Sequence, residues 1–120
     1  MKKTQIQATA YQVGFEIVAL AGDARSILLQ TIDLLKGYKK ASATQKKTIL
    51  AAVAKNQKEA KELLDECHVK QTSLLQAEAK GTKSEFSFLV VHAQDHLMTS
   101  LLLSELVDTF ANLFTDGAIK

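Results

Sequence analysis

Two histidines and one carboxylate stand close together in the most apolar part of the chain. His92, Asp95 and His96 are spaced at i, i+3 and i+4, so in a helix they occupy neighbouring positions on one face. A neutral imidazole can act as a nucleophile and carry a transferable group. Two histidines one turn apart can also share a zinc ion. Spacing alone leaves a nucleophilic site, a metal site and structural histidines open.

Two known helical motifs fit these residues poorly. The zinc protease pattern places a glutamate directly after its first histidine, whereas Ala93 follows His92 here. Histidine phosphotransfer domains of two-component systems prefer a basic residue and a glycine soon after the histidine, and Ala93 to Met98 supply neither. A helical adaptor or regulatory oligomer with structural histidines remains as the alternative to a catalytic site.

Helical periodicity in three segments predicts the elements that carry these residues. We expect helices over about 5–36, 43–80 and 85–115, since apolar residues recur there at three- and four-residue steps. Ser42 or Thr44 can cap the second helix, and Gly37 and Gly117 are placed to end the first and third. The polar stretch 81–84 separates the last two helices. Three long helices with short links predict an all-α, antiparallel up-down-up three-helix bundle.

The third helix has more apolar surface than a three-helix monomer needs. Leucine and valine crowd more than one of its sides, which predicts that it also faces a partner subunit. Asp95 continues one apolar stripe, and a carboxylate buried there would need a charged partner or a metal. That stripe consists of Phe88, Val91, Asp95, Met98, Leu102, Leu106 and Leu113.

Composition excludes several classes of protein. The 120 residues fit one domain, 1–120, and contain no proline, which favours long helices. A formal net charge of +2 with scattered lysines argues against nucleic-acid binding. The single cysteine, Cys67, excludes an intramolecular disulfide and suits a reducing cytosol. No run approaches the ~18 apolar residues of a membrane span, so we expect a cytoplasmic protein without direct membrane insertion.

The segment from His92 to Thr99 reads HAQDHLMT and resembles the signature of the lactose/cellobiose-type enzyme IIA components of the sugar phosphotransferase system. Two further segments are similar to less specific patterns of the same family. Residues 14–18 with 22–26 match its first helix, and His68, Gln71 and Thr72 match a pattern in its second. The resemblance spans roughly residues 13 to 118.

The resemblance implies a homotrimer that packs as a nine-helix bundle. His92 would accept a phosphoryl group from phospho-HPr and pass it to a cysteine of a IIB component, during uptake and phosphorylation of a β-linked disaccharide of the lactose, cellobiose or chitobiose class. Asp95 would bind a divalent cation, expected to be Mg²⁺, with its two symmetry mates, one ion per trimer.

Three further polar side chains receive expected roles. His96, one helical turn after His92, is expected to support the site as a donor to phosphoryl oxygens. Gln94 points about 200° away from His92 around the helix, so it is expected to serve a neighbouring subunit's site. His68 is expected to be a buried structural polar group.

Overall fold

A computed structural model describes the chain over residues 2–81 and 87–119, with side chains from residue 10 onward. The described residues form three helices, α1 (Lys2–Lys36), α2 (Ala43–Ala79) and α3 (Phe88–Phe114), and contain no strand. The prediction of an all-α fold is therefore confirmed. The predicted start of the third helix at residue 85, and most of the predicted 81–84 connection, lie outside the described residues.

Local signals at the helix ends explain most of these boundaries. Ser42 caps α2 through a capping box: its hydroxyl accepts the Gln45 N–H at 3.1 Å, and the Gln45 side chain accepts the Ser42 N–H at 3.0 Å. After α3, Gly117 adopts a φ of 84° and donates its N–H to Asn112 O at 2.9 Å. This 6→1 bond belongs to a Schellman motif, whose left-handed C′ residue is Asp116 with a φ of 53°.

Gly37 ends α1 by a different means from the one predicted. It is not among the residues with positive φ, so it is no left-handed C′ glycine. Its N–H instead donates to Leu34 O at 3.2 Å, and the N–H of Tyr38 donates to Leu35 O at 3.1 Å. These tightened i→i−3 bonds close the last turn of α1, as at many helix termini.

α1 is the central helix of the bundle. It packs extensively on both α2 and α3, whereas α2 and α3 make far fewer contacts with each other. The main core lies along its middle, around Ala21, Ala24 and Leu28, and a smaller cluster at its C-terminal end joins Leu35, Val53 and Ala111.

The core face of α3 differs from the stripe that the sequence emphasises. The residues that α3 buries are small or medium in size: Ala93, Leu97, Ser100, Val107 and Ala111. The larger apolar residues of the predicted stripe, Val91, Met98, Leu102, Leu106 and Leu113, are all exposed. That stripe therefore forms an outer face of the chain. On the opposite side of α3, small residues let the helix approach α1 closely.

α3 is long and apolar enough to span a membrane by length and composition alone. A core helix of a globular protein passes the same test. In this chain α3 packs its inner face against α1, with Leu97 and Val107 fully buried, while 22% of its most apolar window is buried.

Candidate functional site

His92 lies in a row of three rings along the surface of α3. The ring of Phe88, one turn before it, lies nearly parallel to the imidazole, with 6.4 Å between ring centroids and 8° between planes. The ring of His96, one turn after it, meets the imidazole edge-on at 4.6 Å and 81°. Both flanking rings follow from the i, i+4 spacing of a helix. The predicted pairing of His92 with His96 is therefore present in the structure.

The start of α3 places this row close to a helix N-terminus. Ser87 is the N-cap, and its hydroxyl accepts the N–H of Val90 at 3.4 Å. Its carbonyl accepts the N–H of Val91 at 3.1 Å and begins the helical ladder. His92 therefore stands in the second turn. The partial positive charge of the helix N-terminus lies one turn away, which favours negative charge near the imidazole.

His92 is exposed and His96 is half-buried. An attacking nucleophile must reach its donor and then its acceptor, so an exposed imidazole suits group transfer. The half-buried His96 is held more firmly, as a supporting donor should be. In chemical terms, the pair can offer a lone pair to an electrophile and a hydrogen bond to the group that arrives.

Gln94 is held by its own chain. Its side-chain carbonyl accepts a hydrogen bond from the Gln71 side chain on α2. Gln94 thus turns away from His92 towards α2. The expectation that it serves a neighbouring subunit's site stays a prediction. Gln71 is buried, and the sequence indicates it only as part of a family pattern.

A small cavity of about 100 Å³ lies beside this amide pair, between the three helices. Gly14 lines it from α1, where a Cβ would meet Leu89 Cγ at 3.5 Å and Val90 Cγ2 at 3.7 Å. The first turn of α3 therefore rests closely on α1, and this contact fixes the base of the ring row.

Asp95 lies on the outer face of α3, between Val91 and Met98. All three side chains are exposed in the chain. The Thr99 hydroxyl donates to the backbone carbonyl of Asp95 at 2.7 Å, so this bond does not use the carboxylate. Among the residues that the structure describes, no group of three or more His, Cys, Asp and Glu side chains is arranged to hold a metal ion.

His68 and Cys67 take positions on α2 away from the ring row. His68 is exposed, so the prediction of a buried structural histidine is wrong: it faces outward beside Val69. Cys67 is fully buried and its thiol contacts Ile17 O at 3.8 Å. Burial, and secondarily the charge of Glu66, raises the pKa of this thiol to about 11. Cys67 is therefore an inert packing residue and no nucleophile.

An ion pair close to Cys67 joins α1 and α2. Lys70 Nζ lies 2.9 Å from Glu16 Oε2. The hydrogen bond to Glu16 is the main reason that the pKa of Lys70 is raised.

Known proteins share this arrangement of sequence and fold. The family described as PTS system, Lactose/Cellobiose specific IIA subunit, matches residues 12–115. The chain is 41% identical over 106 residues to the PTS system lactose-specific EIIA component of Staphylococcus epidermidis. The matched residues cover 88% of the chain and 92% of the relative. The corresponding component of Streptococcus mutans is 40% identical, with the same two coverages.

A solved structure is similar as well. The PTS cellobiose specific enzyme IIA from Bacillus anthracis superposes with a TM-score of 0.73 at 34% identity, over 89% of each chain. Both the sequence likeness and the structural likeness extend through all three helices.

Proposed function

Because the chain belongs to the lactose/cellobiose-specific IIA family of the sugar phosphotransferase system, we propose that it is a phosphocarrier that uses His92. It accepts a phosphoryl group from phospho-HPr and passes it to a cysteine of a IIB component, for uptake of a β-linked disaccharide. The observation that carries this proposal is the exposed imidazole of His92, placed between Phe88 and His96 on α3.

The chemistry asks little of the protein beyond placement. The lone pair of His92 Nε2 attacks the phosphorus of phospho-HPr, and the P–N bond to the donor imidazole breaks as the new P–N bond forms. The IIB thiolate later attacks the same phosphorus and His92 leaves. Phosphoryl transfer of this kind depends on positioning and charge stabilisation, which His96 and the nearby N-terminus of α3 can supply.

The proposal includes an up-down-up arrangement of antiparallel neighbours within one domain, 1–120. Contacts between distant residues support it: Cys67, later in α2, meets Ile17 in the middle of α1, whereas Val53, earlier in α2, clusters with Leu35 at the end of α1. The connection 37–42 also supports it. This connection is too short to carry the chain back to the start of α1, so α2 must run antiparallel to α1.

We further propose that three copies assemble into a nine-helix homotrimer around α3. The exposed apolar residues of the outer face support this, because a contiguous apolar stripe on one side of a helix is typical of an interface. In α3 these residues are between 39% and 60% exposed. Covering them with a second and third α3 would remove the stripe from water. This arrangement also suits a cytoplasmic protein, which we infer this chain to be.

A divalent cation, which we expect to be Mg²⁺, fits the donor that Asp95 offers. Mg²⁺ prefers carboxylate oxygens completed by water. A single chain provides one such carboxylate on its outer face, so a site would need the symmetry mates of Asp95. In the trimer one cation would neutralise three carboxylates that otherwise repel one another across an apolar interface.

The proposal is tested by phosphorylation with enzyme I, HPr and phosphoenolpyruvate. We expect an acid-labile, base-stable phosphate on the wild type and none on His92→Gln. His68→Gln is the matched control, because His68 is an exposed helical histidine away from the ring row, and it should label fully. His96→Ala should still be labelled, with transfer slowed by about 10²–10⁴. Full labelling of His92→Gln would refute the proposal, and would leave the helical adaptor as the better interpretation.

A further inference from the structure

We propose that Phe88 is a positioning residue for His92: its ring holds the imidazole plane and stabilises the positive charge that the imidazole gains during transfer. This inference rests on the proposed function of His92. It assigns a role in transfer to a residue that the sequence places only in the apolar stripe of α3.

The geometry of the ring row supports a positioning role. An exposed histidine on a helix rotates freely about its second side-chain torsion, because that torsion is broad and roughly two-fold. Here the ring of Phe88 lies nearly parallel to the imidazole, with 6.4 Å between centroids, and His96 meets it edge-on at 4.6 Å. Aromatic pairs prefer offset-parallel and edge-on arrangements with centroids 4.5–7 Å apart, and both contacts lie in that range. Two such neighbours restrict the imidazole to one plane.

The high exposure of Phe88 argues against a role in the hydrophobic core. Its side chain is 83% exposed, the highest value among the large apolar residues that the structure describes. A phenyl ring this exposed contributes little to folding through burial. Its ordered contact among the described residues is the stacked one with His92, so the clearest effect of the ring is on the imidazole.

The electron balance of the reaction gives that contact a chemical consequence. When the neutral imidazole of His92, protonated at Nδ1, attacks phosphorus through Nε2, its lone pair becomes the new P–N bond. The ring is then a phosphoimidazolium and carries a positive charge. When the phosphoryl group leaves for an acceptor thiolate, the bonding pair returns to Nε2 and the ring becomes neutral. The negative face of a phenyl ring attracts a nearby cation, and at 6.4 Å between ring centroids that attraction is weak, so Phe88 gives a small preference to the charged state that both transfers pass through.

A second aromatic pair on the same helix provides a matched control. Phe110 and Phe114 are also spaced at i, i+4 and are also stacked, with centroids 5.8 Å apart and 19° between planes. They lie at the opposite end of α3 from His92. Replacing Phe114 with leucine removes the same type of contact as replacing Phe88, without touching the imidazole.

The experiment compares Phe88→Leu, Phe88→Tyr and Phe114→Leu in the full chain. Leucine keeps an apolar side chain but has no aromatic face, whereas tyrosine restores the face. We expect Phe88→Leu to lower kcat for transfer from phospho-HPr about two- to five-fold with KM for HPr unchanged. Phe88→Tyr and Phe114→Leu should keep the wild-type kcat. In NMR spectra, the His92 ring protons should lose an upfield ring-current shift in Phe88→Leu alone.

Several outcomes would overturn the inference. A raised KM with unchanged kcat would make Phe88 a docking contact for HPr, and loss of oligomeric assembly in Phe88→Leu would make it an interface residue. Equal kinetics for the leucine and tyrosine variants would show that the aromatic face is irrelevant. Failure of the proposed function is distinguishable from these results: wild-type protein would then take no phosphate, while the NMR shift of His92 would still report whether the rings stack.

Discussion

The two faces of α3 differ in the size of their side chains far more than in their polarity. The inner face presents small or medium residues to α1, among them Ala93, Ser100 and Ala111, whereas the outer face presents Met98 and Leu102 to solvent. Small residues bring helix axes together, so a modest apolar surface becomes fully buried. The large residues of the outer face remain exposed in the single chain. The comparison teaches that the more hydrophobic face of a helix is not always the one that its own chain buries.

Replacing Asp95 tests the outer face most severely. We expect Asp95→Lys to abolish trimer formation, because three ammonium groups would meet in an apolar interface without a counter-ion. Asp95→Leu should instead form a stable trimer that needs no metal, since well-packed apolar groups can replace buried charges. Analytical ultracentrifugation with and without a chelator measures both. A trimer that tolerates lysine, or a monomeric wild type, would show that Asp95 does not lie on a shared axis.

A pair of leucine truncations separates the two faces by free energy of unfolding. Leu97 is fully buried and Leu102 is 57% exposed, although both stand on the same helix. We expect Leu97→Ala to lower the free energy of unfolding by about 2–5 kcal/mol at every protein concentration, through lost burial and a cavity. Leu102→Ala should act through assembly, so its effect should be largest at concentrations where the trimer is populated and should shrink as the protein is diluted.

Chemical denaturation at two protein concentrations decides between these behaviours. If both variants lost the same free energy at each concentration, the outer face would be packed within one chain and the contrast between the faces would fail.

The two amide contacts between α2 and α3 give a smaller effect of the same kind. Gln71 bonds Gln94 at a partly buried position, whereas Gln57 bonds the exposed Asp108 at 2.9 Å. Gln71→Ala should lower the free energy of unfolding by about 1–2 kcal/mol, since it leaves a partly buried carbonyl without its donor. Gln57→Ala is the control and should cost about 0.5 kcal/mol or less. Thermal unfolding of both variants tests the ranking, and equal costs would mean that burial does not strengthen the Gln71 contact.

The last prediction concerns the burial of the Cys67 thiol on the packed side of α2. Burial raises the pKa of the Cys67 thiol from 9.0 to about 11. Below pH 9 the thiol is protonated in both states, so its contribution to stability is fully present. Above pH 9 the unfolded chain loses its proton first, and stability should fall as pH rises towards 11. The raised pKa of Lys70 acts in the same direction.

Cys67→Ala isolates the thiol in this pH range. It removes the thiol and keeps Lys70, so its free energy of unfolding should fall less steeply between pH 9 and 11 than that of the wild type. Denaturant titrations across that range measure the slope. Identical slopes would show that the thiol meets water in the folded chain.

Local signals made the helices predictable, and tertiary contacts decided the rest. Ser42 and Gly117 mark helix ends because capping depends on a few neighbouring residues. The i, i+4 spacing likewise predicted that His92 and His96 meet. His68 was misplaced because the burial of a polar side chain depends on how the helices lie against one another, which spacing along one helix does not encode. The packed face of α3 was hidden for a related reason: alanine and serine give a weak hydrophobic signal although they pack most closely.

The central position of α1 affects the order in which its contacts can form during synthesis. α1 is synthesised first, yet nearly all of its partners follow it in the chain. Ile17 and Ala21 must wait for Cys67 and Ser100, and Leu35 for Ala111. Such long-range contacts close large loops and form late. During synthesis, α1 is therefore an amphipathic helix with both flanks uncovered until the last turns of α3 leave the ribosome.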